Sequence, residues 1–139
     1  MISAAILCLA TNLYFEARGE PLAGQLAVGY SVMNRVKSPR YPDTVCGVIY
    51  DAQFNSWDPV NPIRHRCQYS WFCDGLSDDI DPTDHAMVEA KALAKKIYFG
   101  RIVDVSEGAT HYHNTTVNPY WASQLTKVLS VGTHLFYRY

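Results

Sequence analysis

The chain has 139 residues, of which 48% are apolar and 13% aromatic, and its 12 basic and 13 acidic side chains nearly cancel. This length and apolar content suffice for a continuous core, so we expect residues 1–139 to form a single domain. The near-zero charge, with no basic run longer than Lys95 and Lys96, excludes the electrostatic footprint of a nucleic-acid-binding protein.

The first predicted element is an apolar helix over residues 2 to 17. Spacings of three and four define its inner face, which consists of Ala5, Ile6, Leu9, Leu13 and Glu16. A carboxylate therefore closes an otherwise apolar face. No positive region precedes the segment, no small-residue cleavage site ends it, and it is too short to span a bilayer. We expect the first core helix of a soluble protein, without a signal peptide and without stable membrane insertion.

Two more helices are predicted before a long irregular stretch. Gly19 ends the first helix, and Pro21 suits the first turn of a second helix that continues to Val36. Small residues in this second helix favour close approach of another helix. Tyr-Pro-Asp at 41 to 43 opens a short third helix. A loop-rich stretch then runs from 51 to 81, and its aromatic content argues against disorder.

The second half of the chain contains the clearest amphipathic helix, which starts at Asp81 and stops at Gly100. Residues 101 to 118 are predicted to be irregular and carry the sequence HYHN. A short helix over 119 to 128 follows, and alternating residues around Gly132 indicate one or two strands. The predicted fold class is mostly α, an α+β domain with a short C-terminal β element.

Four cysteines are too few for a disulfide-dense scaffold of this length. Cys8 lies in the first apolar helix and is predicted to be a buried thiol. Cys67 and Cys73 flank a short aromatic segment, and they pair either with each other or with Cys46. The spacing alone does not choose between these pairings.

Glu16 is the first candidate for chemistry. Burial beside apolar groups raises the pKa of a carboxyl, and a proton retained near neutral pH suits a general acid at a glycosidic oxygen. The structural alternative is an ion pair or capping contact with Arg18, Asn34 or Arg35. Glu20 starts the second helix, where the helix dipole favours a carboxylate, and we interpret it as structural.

Histidines form the second candidate. His111 and His113 point the same way on an extended segment, and a zinc site would need Cys67, Cys73 or an aspartate as further ligands. That spacing matches no common structural zinc pattern, so hydrogen bonds to backbone or ligand hydroxyls are the favoured role, and we predict neither a metal nor a cofactor. Templates with G-x-S-x-G, Walker, G-x-G-x-x-G or H-E-x-x-H motifs are absent. Aromatic rings beside amides and hydroxyls suit a sugar ligand, although tyrosine-rich cores occur without one.

Five ordered motifs carry a family resemblance across nearly the whole chain. They are E-A-R-G-E-P with G-Q-x-A-V and N-R-V within 14 to 36, YPDTVCGVIY at 41 to 50, CQYSWFCDG at 67 to 75, GATHYHNTTVNPYW at 108 to 121, and GTHLFYR at 132 to 138. The sequence resembles the cell wall hydrolases of the spore-cortex-lytic SleB/CwlJ type, a family that includes phage endolysins. Residues 51 to 66, DAQFNSWDPVNPIRHR, depart from the family pattern as an expanded lip of unassigned role.

The resemblance implies a lysozyme-like or resuscitation-factor-like catalytic domain that acts on peptidoglycan glycan strands. The family's catalytic glutamate falls on Glu16, and members are understood to be lytic transglycosylases with one essential glutamate. The implied substrate groove is lined by Tyr69, Ser70, Trp71, His111, Tyr112, His113 and Asn114, with Trp121 nearby. Core packing is the alternative for each of these, most strongly for Trp121 and least for Tyr112 and Ser70.

Two other functions stay open at this point. A hydrolytic muramidase would use a second carboxylate from Asp51, Asp58, Asp74, Asp78 or Asp79. A non-catalytic peptidoglycan-binding module would keep the groove and lack the acid. The absence of a signal peptide favours a monomeric phage-type endolysin that is made in the cytoplasm and reaches the cell wall through a holin-type membrane lesion.

Overall fold

The structure, a computed structural model, describes residues 2–139. This part of the chain contains four α-helices, five β-strands and two 3₁₀ turns. The helices are α1 (Ala4–Ala17), α2 (Leu22–Val36), α3 (Val45–Ile49) and α4 (His85–Tyr98). The strands are β1 (Ala52–Asn55), β2 (Asp58–Cys67), β3 (His111–Asn114), β4 (Thr126–Val131) and β5 (His134–Arg138), and the 3₁₀ turns are Ser70–Phe72 and Tyr120–Gln124.

Helix α1 is the centre of the helical layer, because it contacts each of the other three helices. The Ser3 side chain caps its N-terminus by accepting a hydrogen bond from the Ile6 amide at 3.3 Å. Leu9 is completely buried, and burial of one leucine side chain contributes roughly 1.5–3 kcal/mol. Gly19, at φ +85°, follows the helix in a conformation that favours glycine. The helix predicted over residues 2 to 17 is confirmed.

Helices α2 and α4 approach each other closely at a glycine. A Cβ atom added to Gly29 would lie 2.5 Å from the Cδ1 atom of Ile97, so a larger residue here would force the Ile97 side chain to move. Asp84 caps α4 by accepting from the Ala86 amide at 2.9 Å. The close helix approach predicted from the small residues of α2 is therefore confirmed.

The prediction of a loop-rich stretch from 51 to 81 is wrong for the first half of that stretch. β1 and β2 pair antiparallel as an irregular hairpin with register shifts. Pro59 and Pro62 lie inside β2. Because proline cannot donate a backbone hydrogen bond to a neighbouring strand, the sequence pattern did not predict a strand here. A two-stranded hairpin tolerates both, since each of its strands is an edge strand.

A three-stranded antiparallel sheet in the order β3-β5-β4 packs beside the helices. The two strands expected around Gly132 are confirmed as β4 and β5. HYHN forms strand β3, which corrects the irregular setting predicted for it. The short helix predicted over 119 to 128 is reduced to the 3₁₀ turn at Tyr120–Gln124, because Thr126 already begins β4 and pairs with Arg138 of β5.

Two disulfides join the four cysteines. Cys8 pairs with Cys46, which ties α1 to α3. The prediction of a buried Cys8 thiol is therefore wrong, because the side chain faces α3 with the two Cα atoms 5.4 Å apart. Cys67 pairs with Cys73, one of the alternatives left open by the spacing, and closes the segment that carries Tyr69 and Trp71.

None of the helices in residues 2–139 combines the length and the apolar character that crossing a bilayer requires.

Candidate active site

Glu16 lies in the last turn of α1 with its carboxyl largely buried. Burial is the main influence on this carboxyl and raises its pKa above the ordinary value, because the charged form loses its water. The Tyr112 side chain exerts a weaker opposite influence. Glu16 therefore retains a proton to higher pH than an exposed glutamate does.

Tyr112 faces Glu16 because side chains alternate along β3. Tyr112 pairs with Phe136, which is fully buried, so both rings point to the helices. The Tyr112 hydroxyl is enclosed and forms no hydrogen bond of normal geometry. It nevertheless lies close enough to Glu16 to lower the pKa of that carboxyl. Burial, followed by the nearby Glu16 charge, holds the pKa of Tyr112 well above its ordinary value, so the hydroxyl stays protonated.

Tyr69 supplies a second enclosed hydroxyl from the disulfide-closed segment. Its side chain is 4% exposed and its hydroxyl has no hydrogen-bond partner. Burial raises the pKa of Tyr69 to about 12, and the Glu16 charge contributes in the same direction. We call Glu16, Tyr69 and Tyr112 the acid cluster. It places a protonatable carboxyl beside two enclosed phenol hydroxyls.

Ser70 and Trp71, the neighbours of Tyr69, have opposite environments. Ser70 is exposed at the start of its 3₁₀ turn. Trp71 is 6% exposed, its ring stacks on Phe15 at 4.7 Å, and its indole N–H donates to Asn12 at 2.8 Å. Because protein atoms occupy both its face and its N–H, we leave Trp71 out of the site.

The histidines of β3 lie on the strand face opposite Tyr112. Their rings are 5.0 Å (His111) and 5.6 Å (His113) from the ring of Trp121, a half-buried residue outside the central core. Burial, with a smaller effect of Arg35, lowers the pKa of His111 to about 4, so it is neutral at physiological pH. The shared direction predicted for the two histidines is confirmed, but they belong to the outer sheet face rather than to the acid cluster.

His113 and Asn114 are engaged by the protein itself. The two ring nitrogens of His113 lie 2.8 Å from the Asn114 carbonyl oxygen and 2.9 Å from the Tyr137 hydroxyl. The side chain of Asn114 is exposed and accepts a hydrogen bond from the Thr116 amide at 2.9 Å, which closes the turn after β3. Both residues therefore have structural contacts where a substrate contact was predicted.

The zinc alternative loses its sulfur ligands, because Cys67 and Cys73 form a disulfide. Within residues 2–139 no three His, Cys, Asp or Glu side chains come together in an arrangement able to hold a metal ion.

Glu20 has a very different environment from Glu16. Its Oε1 atom accepts hydrogen bonds from the Thr133 amide at 3.0 Å and the Thr133 hydroxyl at 2.7 Å. The Nδ1 atom of His134 lies 3.0 Å from the same oxygen, without the alignment of a hydrogen bond. Burial by itself would raise the pKa of Glu20, but Thr133 and His134 together outweigh it and lower the pKa. The structural role predicted for Glu20 thus has a contact to explain it, in the β4–β5 turn.

Comparison with known sequences decides the family. The sequence profile of the cell wall hydrolase family matches residues 19–137. The chain belongs to this family. The matched region begins after Glu16, so the profile itself makes no statement about that residue.

Relatives of this cell wall hydrolase domain are spore cortex-lytic enzymes. That of Halalkalibacterium halodurans is 31% identical over 135 residues, which cover 94% of this chain and 34% of the relative. That of Oceanobacillus iheyensis is 50% identical over 48 residues, which cover 34% of this chain and 17% of the relative. The chain spans at most about a third of the length of these curated relatives.

Two solved structures share the fold over nearly the whole domain. The catalytic domain of the germination-specific lytic transglycosylase SleB from Bacillus anthracis superposes with a TM-score of 0.71 at 26% identity, covering 99% of this chain and 97% of that chain. The catalytic domain of Bacillus cereus SleB gives a TM-score of 0.61 at 26% identity, covering 99% and 93%. The SleB/CwlJ resemblance and the lysozyme-like fold predicted from the sequence are confirmed.

No salt bridge in the described part of the hydrolase involves Glu16. Arg18 lies over the Tyr14 ring at 4.3 Å, and Asn34 donates to Ala109 at 2.8 Å and Ser106 at 3.0 Å. Arg35 donates to the Thr110 carbonyl oxygen at 2.6 Å. In the described chain none of the three partners considered for a structural contact forms a salt bridge or hydrogen bond with Glu16, so that alternative is wrong.

The aspartates considered as a second acid lie away from the acid cluster. Asp78 and Asp79 line a cavity of about 460 Å³ beside Leu7 and Thr11, in the first half of α1. Asp51 lines a cleft at the base of the hairpin, and Asp58 accepts from the Asn61 amide at 3.1 Å in the hairpin itself. Asp74 closes a turn by accepting from the Leu76 amide at 2.9 Å. No carboxylate of residues 2–139 contributes to the pKa shift of Glu16.

Asn12 is a buried polar residue near Glu16 that was not among the residues predicted for the site. It lies on α1, one turn before Glu16, fully buried, and its Nδ2 atom has no hydrogen-bond partner. Its spacing of four from Glu16 was a usable signal, since residues four apart share one helix face. Its Oδ1 atom accepts the Trp71 indole N–H at 2.8 Å, so this buried amide joins α1 to the segment of Trp71.

Proposed function

We propose that this domain cleaves the glycan strands of peptidoglycan as a lytic transglycosylase with Glu16 as its only catalytic carboxyl. The observation that carries the proposal is the acid cluster, in which one buried carboxyl with a raised pKa lies beside two unpartnered tyrosine hydroxyls. Membership of the cell wall hydrolase family and the similarity to the SleB catalytic domains support the substrate and the reaction class.

In the proposed reaction, protonated Glu16 donates its proton to the oxygen that joins N-acetylmuramic acid to N-acetylglucosamine. The bond between this oxygen and C1 of the muramic residue breaks. The Glu16 carboxylate then accepts the proton of the muramic C6 hydroxyl while that oxygen bonds to C1. The product is a 1,6-anhydro ring, Glu16 is protonated again, and no water is consumed.

The tyrosines have the functional groups this substrate requires. The hydroxyls of Tyr69 and Tyr112 are enclosed beside Glu16, and the Tyr112 hydroxyl acts directly on the pKa of its carboxyl. They therefore set the environment of the proposed acid, whose glycan substrate brings hydroxyl and acetamido groups that accept and donate hydrogen bonds. Ser70, exposed beside Tyr69, extends this polar lining to the surface.

We also propose that the domain acts outside the cytoplasm, on the cell wall. Both disulfides support this, because disulfides persist in oxidising compartments and are rare in the reducing cytosol. The endolysin role with release through a holin-type lesion, the monomeric state and the single-domain organisation stay predictions.

Digestion of purified peptidoglycan followed by mass spectrometry tests the reaction. Transglycosylation leaves muropeptides that end in 1,6-anhydro-muramic acid, about 18 Da lighter than hydrolytic products, because the substrate's own hydroxyl replaces water. We expect anhydro products to dominate and to disappear with Glu16→Gln. Reducing muramic ends would assign a muramidase with a second catalytic group, and free stem peptides with intact glycan would assign a peptidase or amidase.

A further inference from the structure

Arg35 is a buried cation without a counter-ion. Its side chain lies in the last turn of α2 and the residue is only 4% exposed. The salt bridges within residues 2–139 are His85–Glu89 and His134–Glu20, so no carboxylate faces Arg35. A buried charge is costly unless it is paired and hydrogen-bonded. The unpaired guanidinium of Arg35 therefore points to an anion that binds here.

Three contacts orient the Arg35 side chain and leave its two terminal guanidinium nitrogens without a hydrogen-bond partner. The Nε atom donates to the Thr110 carbonyl oxygen at 2.6 Å, and the guanidinium carbon lies 4.6 Å from the centroid of the Tyr41 ring and 6.0 Å from that of Tyr69. The C-terminal end of α2 adds a partial negative charge. Neither terminal nitrogen of Arg35 has a hydrogen-bond partner in the described chain, and neither is fully enclosed.

The guanidinium lies next to the acid cluster without neutralising it. Its charge acts on Tyr69 and Tyr112, the two tyrosines that also feel the charge of Glu16. Arg35 and Glu16 thus both lie near this pair of tyrosines. A glycan residue bound at Glu16 would bring its substituents near Arg35.

We propose that the two terminal nitrogens of Arg35 bind a carboxylate carried by the muramic residue at the cleavage site. The planar guanidinium matches a carboxylate with two parallel hydrogen bonds, which a lysine does not reproduce. Peptidoglycan offers this chemistry from two sources, the lactyl carboxylate of a muramic residue without a peptide and the carboxylates of the stem peptide. Arg35 is then a specificity-determining residue that distinguishes muramic from uncharged sugars. This inference rests on the proposed glycan cleavage.

Neutralising the substrate tests the proposal on the wild-type enzyme. Peptidoglycan is compared before and after carbodiimide amidation of its carboxylates. A second pair is prepared by removing the stem peptides first and amidating afterwards, because stem removal exposes the lactyl carboxylate. We expect amidation to raise KM about tenfold, the size of one charge-assisted hydrogen-bonded contact, with a smaller change in kcat. A preference that survives stem removal assigns the lactyl carboxylate, and one that disappears assigns the stem peptide.

The variant Arg35→Gln should show the raised KM on native substrate and no further response to amidation, whereas the exposed Arg101→Gln should respond as the wild type does. Wild-type enzyme indifferent to amidation overturns the proposal, as does an Arg35→Gln variant that responds as strongly as wild type. If Arg35→Gln does not fold, the wild-type comparison alone decides. Failure to release glycan fragments from any substrate would instead refute the proposed function, which keeps the two failures distinct.

Discussion

Glu16 and Glu20 lie four residues apart at the junction of α1 and α2, and the fold treats them in opposite ways. Glu20 receives two hydrogen bonds from Thr133 and has His134 nearby, so its charge is stabilised and its pKa is lowered. Burial raises the pKa of Glu16, and the Tyr112 hydroxyl offsets that rise only in part. Both residues are glutamates of the same E-A-R-G-E-P motif, so it is burial and the set of surrounding donors that separate a charged structural anchor from the proposed proton donor.

The largest effect on activity is expected when the ionisable proton of Glu16 is removed, which tests the contrast between the two glutamates most directly. Glu16→Gln keeps the size and polarity of the side chain, and we expect wall-lytic activity to fall about 100-fold or more, the effect of losing a general acid. Turbidity loss of a peptidoglycan suspension measures it, with the exposed Glu89→Gln as matched control. Retention of a third of the activity by Glu16→Gln would refute the assignment.

The same variant also has a stability signature. The raised pKa means that the folded state binds the Glu16 proton more tightly than the unfolded state, so ionisation at neutral pH opposes folding. Glu16→Gln should therefore be more stable than wild type at neutral pH. Its advantage should shrink as pH falls from the raised pKa of the folded state toward the ordinary glutamate value and be absent at lower pH, which thermal unfolding at two pH values measures.

Tyr112→Phe sharpens the comparison by making the Glu16 environment still less polar. The Tyr112 hydroxyl lowers the pKa of Glu16, so its removal should raise that pKa and move the alkaline limb of the pH–activity profile to higher pH. Activity at the optimum should fall about tenfold, the effect of one hydrogen bond near the reacting bond. Tyr120→Phe, at an 82% exposed position, is the control. An unmoved alkaline limb would separate Tyr112 from the acid.

Glu20→Gln tests the other side, and its effect should appear in stability rather than in activity. Two charge-assisted hydrogen bonds become neutral ones, at a cost of about 1 kcal/mol in the free energy of unfolding, with activity within about threefold of wild type. Because the pKa of Glu20 is lowered in the fold, the wild-type advantage exists above the ordinary glutamate pKa and is lost as pH falls through the folded value. Urea unfolding at neutral and acidic pH measures this, and a large loss of activity in a fully folded variant would contradict it.

The smallest expected effect is that of a chelator. The proposed chemistry uses a carboxyl and the substrate's own hydroxyl, so dialysis against EDTA should leave the rate of peptidoglycan clearing unchanged. Activity that is lost and then restored by zinc or calcium would revive a metal role for His111 or His113.

Periodic segments were predictable from the sequence, and irregular ones were not. The spacing in α1 correctly placed Glu16 at the buried end of a helix, and the alternation in β3 correctly put His111 and His113 on one face. Burial within the segment of Tyr69 to Trp71 has no period to read, so the sequence did not distinguish the available Tyr69 hydroxyl from the packed Trp71 ring.

Pairings between distant residues were the other limit. Cys8 lies 38 residues from Cys46, and nothing in the local pattern of α1 indicates a partner in α3. The hairpin was hidden by its prolines, and the contact of Arg35 depends on where Thr110 lies in the folded chain. Such features follow from the packing of elements rather than from the sequence of any one of them.

The contact between Glu20 and the β4–β5 turn has a consequence for the fidelity of folding. A slip of one residue in the pairing of β3 with β5 would turn Tyr112 outward and bring a histidine toward Glu16, because side chains alternate along a strand. Glu20 holds Thr133 and His134 at the start of β5, and the His134 ring packs against that of Tyr112 at 5.1 Å. The carboxylate that takes no part in the proposed chemistry thus anchors the end of β5 that packs against the neighbour of the other carboxyl.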